Sequence, residues 1–274
     1  MSGGTPVAIA QFGPGTDPEA NFAAMRELIA QAAAAGARVT VLPEASMVAL
    51  FEAEPARRER LVREAWRPFR ELLAEQARRH GCWLVAGGFE PAEAGRPYNT
   101  LLVVDPVGRE RAAYRKLHMY DAFAHRESES VAAGQEPAPV LAIEGQRFGF
   151  FTCYDLRFPE LARDLADRGA EVLVCIAAWV RGPLKEAHWD ALTRARAIEN
   201  TVWLVAAGSS GRECIGDSRI IDPLGVVRTG LGPLASGVAV LETSPQRLAE
   251  VRAVLPSLAD RRMRARPEIS PAGS

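Results

Sequence analysis

The chain of 274 residues has only four cysteines, at 82, 153, 175 and 214, and no two form a Cys-x-x-Cys pair. That spacing argues against a disulfide framework and against a cysteine zinc site. An excess of charge of one sign is also missing: 33 Lys and Arg stand against 34 Asp and Glu, a net charge of −1. The chain therefore has no basic footprint for nucleic acid and no acidic tail. The Arg runs at 57–63 and 261–266 read as solvated helix faces or termini. No apolar run is long enough and free enough of charge to span a bilayer. The opening segment enters Val7-Ala-Ile-Ala-Gln-Phe12 without the basic start or cleavage site of a signal peptide. These absences point to a soluble protein of a reducing, cytoplasmic compartment. What is present is 48% hydrophobic residues, enough for a large core.

The most informative stretch is Arg147-Phe-Gly-Phe-Phe-Thr-Cys153-Tyr-Asp-Leu-Arg-Phe-Pro159-Glu160. Its apolar, aromatic first half suits a buried strand. Pro159 suits the first turn of a helix from Glu160 to Arg168, closed by Gly169. Cys153 is thus expected at a strand-to-helix elbow near the positive end of a helix dipole, where a thiol becomes a better nucleophile. A packed core cysteine is the alternative, against which the polar run after Cys153 argues.

Taken in order, Val7–Phe12 reads as a strand, and Asp17-Pro18-Glu19 caps a helix ending at Gly36, with Phe22, Met25, Leu28, Ile29 and Ala32 on one stripe. Val39–Leu42 is a second strand running into Pro43-Glu44, and a helix from Pro55 to His80 carries a potential kink at Pro68. The second half repeats the first. Gly36-Ala-Arg-Val39 is echoed by Gly169-Ala-Glu-Val172, Trp83-Leu-Val-Ala by Trp203-Leu-Val-Ala206, and Asp105-Pro-Val-Gly108 by Asp222-Pro-Leu-Gly225. The helix before Trp203 spans Leu184 to Asn200, with Trp189, Leu192 and Ile198 expected inward. Such ordered self-similarity implies two copies of one strand–helix–strand–helix–strand–strand unit. Each copy covers one face of its sheet with helices, and the bare faces bury each other. The expected fold is α/β, a four-layer α-β-β-α sandwich with an internal pseudo-twofold repeat, in a single domain over 1–274. Its core spans about residues 5–262, and 263–274 form a C-terminal tail that is disordered or packed on a partner. A doubly wound Rossmann fold is the alternative, but no Gly-x-Gly-x-x-Gly follows the first strand. The loop from Lys116 to Pro139 is long enough to shape a site.

In this layout the strand ends at Glu44, Lys116 and Cys153 approach one another about the pseudo-twofold axis. Base, electrostatic stabiliser and nucleophile would then share a site, although Glu44 also fits a solvated loop acid and Lys116 a surface lysine. His118 and His188 raise a Cys–His dyad as a rival; His118 more naturally holds the Lys116 loop, and His188 sits beside Trp189. Cys82, Cys175 and Cys214 read as packing residues. Asp155 and Arg157 are expected to pair and brace the elbow.

The segments Leu42-Pro-Glu44, Tyr114-Arg-Lys116-Leu-His and Cys153-Tyr-Asp-Leu-Arg-Phe-Pro-Glu160 resemble the three signatures of the nitrilase (carbon–nitrogen hydrolase) superfamily. The likeness extends from Val7 to about Arg262 and is nearest the Nit branch of omega-amidase and deaminated glutathione amidase. Glu127-Ser128, Ala187-His-Trp189 and Arg194-Ala-Arg-Ala-Ile-Glu199 add to it. The resemblance implies a Glu44–Lys116–Cys153 triad, with Glu127 positioning substrate and Lys116; Glu129 is its nearest confusable neighbour. It also implies an oxyanion donor at the Tyr154 backbone, no metal and no cofactor, and at least a homodimer. The expected reaction is hydrolysis of a small carboxylate-bearing amide through a thioester. Cys-Tyr-Asp, where true nitrilases carry Cys-Trp-Glu, favours amide over nitrile. Arg157 is a candidate for the substrate carboxylate. The run Trp179-Val-Arg-Gly-Pro-Leu-Lys-Glu-Ala-His-Trp189 departs from the branch, so Trp179, Arg181 and Lys185 are expected to line the pocket. An N-carbamoyl amino acid hydrolase and a non-catalytic scaffold subunit are the alternatives.

Overall fold

The computed structural model describes residues 3–93, 95–123, 125–263 and 268–269. The first half runs β1 (Thr5–Gln11), α1 (Pro18–Ala34), β2 (Val39–Val41), α2 (Pro55–His80), β3 (Trp83–Glu90), β4 (Tyr98–Val104) and β5 (Glu110–Arg115). The second runs β6 (Val140–Ile143), β7 (Gln146–Thr152), α3 (Pro159–Asp167), β8 (Val172–Ala177), α4 (Lys185–Asn200), β9 (Trp203–Gly208), β10 (Ser218–Ile221), β11 (Val227–Gly232), β12 (Gly237–Thr243) and α5 (Pro245–Val254).

The strands form two six-stranded sheets, ordered β12-β1-β2-β3-β4-β5 and β6-β7-β8-β9-β10-β11. In each, three central strands are parallel and the flanking strands antiparallel. The halves match strand for strand, as the repeat requires. The edge strands β6 and β12 were not foreseen. β12 pairs with the very start of the chain, Thr5 opposite Thr243, and a pairing across that separation leaves no local signature.

Side-chain alternation explains the layering. Val7, Ile9, Val39, Val41, Val85, Leu101 and Val103 join the core between the sheets. Their neighbours Ala10, Leu42, Leu84, Ala86, Leu102 and Val104 pack with Phe22, Met25, Phe69 and Leu72 of α1 and α2. A strand's period of two sends alternate residues to opposite faces, so both faces of each sheet are buried and the chain forms a four-layer sandwich. Among the described residues, no helix is long and apolar enough to cross a membrane.

Most helices start and stop where local chemistry directs. Asp17 accepts from the Glu19 amide at 3.0 Å, and α2 closes on Gly81 in a left-handed conformation. Pro68 lies inside α2 without ending it. In α4, Trp189 is buried as expected, but Ile198 is 41% exposed. The inward places near it are taken by Thr193, Arg196, Ala197 and Asn200, and Ile198 lies against the Gly225 turn instead. Of the expected C-terminal tail, 264–267 and 270–274 lie outside the described residues.

Candidate active site

Glu44 follows β2 and is held by the neighbouring strand. The Gly87 amide donates to the Pro43 carbonyl at 3.1 Å and the Met47 amide to the Gly87 carbonyl at 3.3 Å. This approach requires glycine: a Cβ on residue 87 would lie 1.9 Å from the Glu44 carbonyl oxygen. Gly87→Ala is therefore expected to displace Glu44 and lower kcat/KM about 100-fold, read by steady-state kinetics on a folded variant.

Cys153 directly follows β7 with φ +49, a left-handed conformation that costs a non-glycine residue roughly 1–3 kcal/mol. Asp155 sustains it. Its buried carboxylate accepts from the Thr152 amide at 3.1 Å, the Tyr114 hydroxyl at 2.8 Å and the His118 amide at 3.1 Å, and lies 2.7 Å from His118 Nδ1. The expected Asp155–Arg157 pair is not formed; these partners occupy the carboxylate. A five-residue 3-10 turn, Cys153–Arg157, separates the thiol from α3. Cys153 is consequently not at the start of an α-helix.

Lys116 follows β5, its amide bonded to the Asn99 carbonyl at 2.9 Å and its carbonyl to the Gly134 amide at 2.8 Å. Its ammonium reaches Glu44 Oε1 at 3.2 Å and the Glu127 oxygens at 3.0 and 2.8 Å. All of these side chains are buried. Asn99 spans the two carboxylates, donating at 2.7 Å to Glu44 and 3.3 Å to Glu127. The second oxygen of Glu44 accepts from the Ala178 amide at the end of β8, at 2.6 Å, so the two sheets meet on this carboxylate. Glu127 also accepts from the Tyr120 amide at 2.7 Å. Glu129 is exposed, which separates the two acids of that loop.

Cys153, Glu44, Lys116 and Glu127 line one pocket of about 560 Å³, together with Tyr120 and Cys214. Cys214 is thus a pocket residue rather than a packing one. His118 is occupied by Asp155 and stacks on Phe158 at 3.6 Å, and His188 lies 3.4 Å from Arg157, so the described contacts of both lead away from Cys153. Trp179 is buried with its indole N–H on the Lys185 carbonyl at 2.9 Å, and the Arg157 guanidinium lies 4.8 Å from its ring. None of Trp179, Arg157, Tyr154 and Lys185 lines the pocket wall around Cys153; the Lys185 ammonium is taken up by the Tyr120 hydroxyl, 2.7 Å away. Arg181 turns to Glu186, 3.7 Å away, and is half exposed. Among the described residues, no cluster of His, Cys, Asp or Glu is placed to hold a metal ion.

The electrostatics differ from the elbow expectation. Burial first, then the Glu44 carboxylate, push the Cys153 thiol well above its ordinary range, against the pull of Lys116. Burial alone would lower Lys116, but Glu127 and Glu44 outweigh it and hold the ammonium well above the usual lysine value. The pocket thus combines a protonated thiol, a carboxylate and a fixed cation whose side chains are all buried. Burial likewise raises Cys82 to about 11 and Cys214 to about 12 from 9.0. A thiol that keeps its proton in the fold but loses it on unfolding contributes stability that is whole below pH 9 and lost as pH rises towards the folded value. Unfolding free energy is expected to fall between pH 9 and 11 by about 1.4 kcal/mol per pH unit for each such thiol, measurable by urea titration.

Comparison with known proteins identifies the frame. The carbon-nitrogen hydrolase family pattern matches residues 6–253. The chain belongs to that family. A deaminated glutathione amidase of Escherichia coli O157:H7 is 42% identical over 257 residues, covering 93% of this chain and 97% of the relative. The Caenorhabditis elegans NitFhit crystal structure superposes with a TM-score of 0.88 at 32% identity, over 96% of this chain and 66% of that one. An amidase of Nesterenkonia sp. AN1, solved with the acetamide moiety of fluoroacetamide attached to its active-site cysteine, gives 0.79 at 25% identity over 95% of both chains.

Asn99 escaped the sequence reading, as did the Ala178 amide. The signal for Asn99 is a polar residue opening the apolar run Asn99-Thr-Leu-Leu-Val-Val104. A backbone donor leaves no such mark in side-chain chemistry.

Proposed function

We propose that this carbon-nitrogen hydrolase is a cysteine-dependent amidase that releases ammonia from a small carboxylate-bearing amide. One observation carries the reading: a buried thiol, carboxylate and ammonium converge on one pocket. Relatives that bear the name deaminated glutathione amidase support the amide as substrate.

In the proposed cycle Glu44 takes the Cys153 proton as Sγ attacks the amide carbonyl carbon. The oxyanion forms against the Lys116 ammonium and the Tyr154 backbone N–H. Glu44 then returns the proton to the leaving nitrogen, the C–N bond breaks, and ammonia departs from a thioester. Water, deprotonated by Glu44, attacks the thioester; the proton returns to Sγ and the acid leaves. Glu127 and Asn99 hold Lys116 and Glu44 in register throughout.

The domain is read as one unit spanning the sandwich. Four free cysteines support a reducing, cytoplasmic setting. The exposed Ile198, Leu224, Val226 and Val254 support association into a homodimer through elements after the nucleophile, to be tested by sedimentation. The deciding experiment measures ammonia from an alpha-keto acid omega-amide, deaminated glutathione, an N-carbamoyl amino acid and a simple nitrile. Release from an acidic amide, with a thioester seen by intact mass, is the expected result. Activity confined to the carbamoyl compound would move the assignment to a carbamoyl hydrolase. Silence with a Cys153 inert to alkylation would sink the enzyme reading.

A further inference from the structure

Three adjacent parallel strands of the second sheet end at the pocket. Cys153 follows β7, Ala178 follows β8 and Ser209 follows β9, and all three line the cavity. Parallel sheets gather their ligands at such carboxyl ends. Cys153 and Ala178 already have parts in the chemistry, as nucleophile and as the amide that anchors Glu44. Ser209 has none so far. It is 2% exposed, and its Oγ is buried without a hydrogen-bond partner. Among the described residues, no other side chain lining the pocket holds a buried polar atom in that condition. The backbone around it is fixed. The Ser209 amide donates to the Ala177 carbonyl at 2.7 Å, the Gly216 amide to the Ser209 carbonyl at 2.9 Å, and the Ser210 amide to the Phe12 carbonyl at 2.9 Å. A buried hydroxyl without a partner is costly, so a partner supplied by the pocket's contents is the economical account of it.

The surroundings of Glu44 say which partner. Ala177 precedes Ala178, so Ser209 bonds to the chain one peptide unit from the amide that donates to Glu44 Oε2 at 2.6 Å. An ionised carboxylate offers about four lone-pair sites. On Glu44, Asn99 and Lys116 take those of Oε1, and Ala178 takes one of Oε2. The site left for chemistry is therefore on Oε2, the oxygen on the Ala178 side, beside the strand end that carries Ser209. A water held at one lone pair needs a second polar partner to fix its direction. Resting on the amidase reading, we propose that Ser209 binds and orients the water that hydrolyses the thioester. That water gives one proton to Glu44 Oε2 and donates its other hydrogen bond to Ser209 Oγ. Its oxygen forms the new C–O bond, the C–S bond breaks, and Sγ recovers the proton from Glu44. Ser209 gains and loses no proton. With no base bonded to its Oγ, it is no rival nucleophile to Cys153. Acylation, whose proton comes from Sγ, does not require it.

p-Nitrophenyl acetate separates the two half-reactions: the burst of nitrophenolate reports acylation, and the steady rate reports thioester hydrolysis. Ser209→Ala is expected to keep the burst and slow the steady rate about 10-fold, the scale of one lost hydrogen bond. Hydroxylamine supplies a readout that a merely structural role would not move, because it attacks the thioester through its own nitrogen lone pair. The hydroxamate-to-acid ratio should rise about 10-fold in Ser209→Ala and return towards wild type in Ser209→Thr, which keeps the hydroxyl. Intact mass should show the acyl group accumulating on Cys153. A ratio equal to wild type, or a burst and a steady rate that fall in proportion, would overturn the proposal and leave Ser209 a structural residue. A wild type that forms no thioester from the ester overturns the amidase reading as well. Normal thioester formation with an unmoved ratio overturns this proposal alone.

Discussion

Cys153→Ala is expected to reduce ammonia release by on the order of 10⁵–10⁶, the scale at which loss of a covalent nucleophile leaves only binding and electrostatic terms. The fold should tolerate the change, because Asp155 rather than the thiol sustains the elbow through Thr152, Tyr114 and His118. Alanine accepts the left-handed backbone no worse than cysteine does. Affinity for the amide is therefore expected to persist. Glu44→Gln should fail differently. The thiol, held neutral by burial, loses its proton acceptor, so both acylation and thioester hydrolysis slow while Lys116 stays ionised beside Glu127. Intact mass spectrometry after a slow incubation separates the two variants: any trapped acyl group belongs to Glu44→Gln. Undiminished turnover by Cys153→Ala would refute thioester chemistry.

Lys116→Met is the second large effect, and it reaches stability as well as rate. It strands two buried carboxylates, Glu44 and Glu127, which are 5% and 2% exposed and share the Asn99 amide. Removing one partner of a buried ionic cluster costs about 3–5 kcal/mol. The remaining repulsion is relieved when one carboxylate takes up a proton, so its folded pKa rises above the unfolded value. A raised carboxylate contributes stability that is present below the ordinary carboxylate range and lost as pH rises through the folded value. The deficit against wild type is therefore expected to be smallest near pH 5 and to grow towards pH 8 in thermal melts. Adding Glu127→Gln should return part of it by removing one charge. Turnover should drop on the order of 10³-fold, from the lost oxyanion partner and a displaced Glu44. A deficit independent of pH would mean that Lys116 is not the shared counter-ion of the two acids.

Much of this was legible in the residues themselves. Turn chemistry at Asp105-Pro-Val-Gly108 and Asp222-Pro-Leu-Gly225, and strands opening alike after Gly36 and Gly169, are local signals, and together they disclosed the repeat and the stacked sheets. From the repeat followed the meeting of Glu44, Lys116 and Cys153, since strand ends are placed by topology. The family resemblance brought in Glu127. Ile198 went wrong because helical periodicity ranks faces but cannot see the Gly225 turn packed beside α4.

Tertiary structure alone decided the rest. The Glu44 carboxylate is anchored by an amide 134 residues away, and β12 closes on β1 from the far end of the second half. The direction of the Cys153 titration also reversed: a dipole argument from neighbouring residues lowers a thiol, whereas burial and an acid from the other sheet raise it. Lys185, expected to line the pocket, lies instead against the Tyr120, Phe123 and Trp179 rings and off the pocket wall. The physical reason is common to all four. Strand, turn and helix signals arise between residues a few positions apart, but desolvation and charge act through space, on groups that only the folded chain brings together.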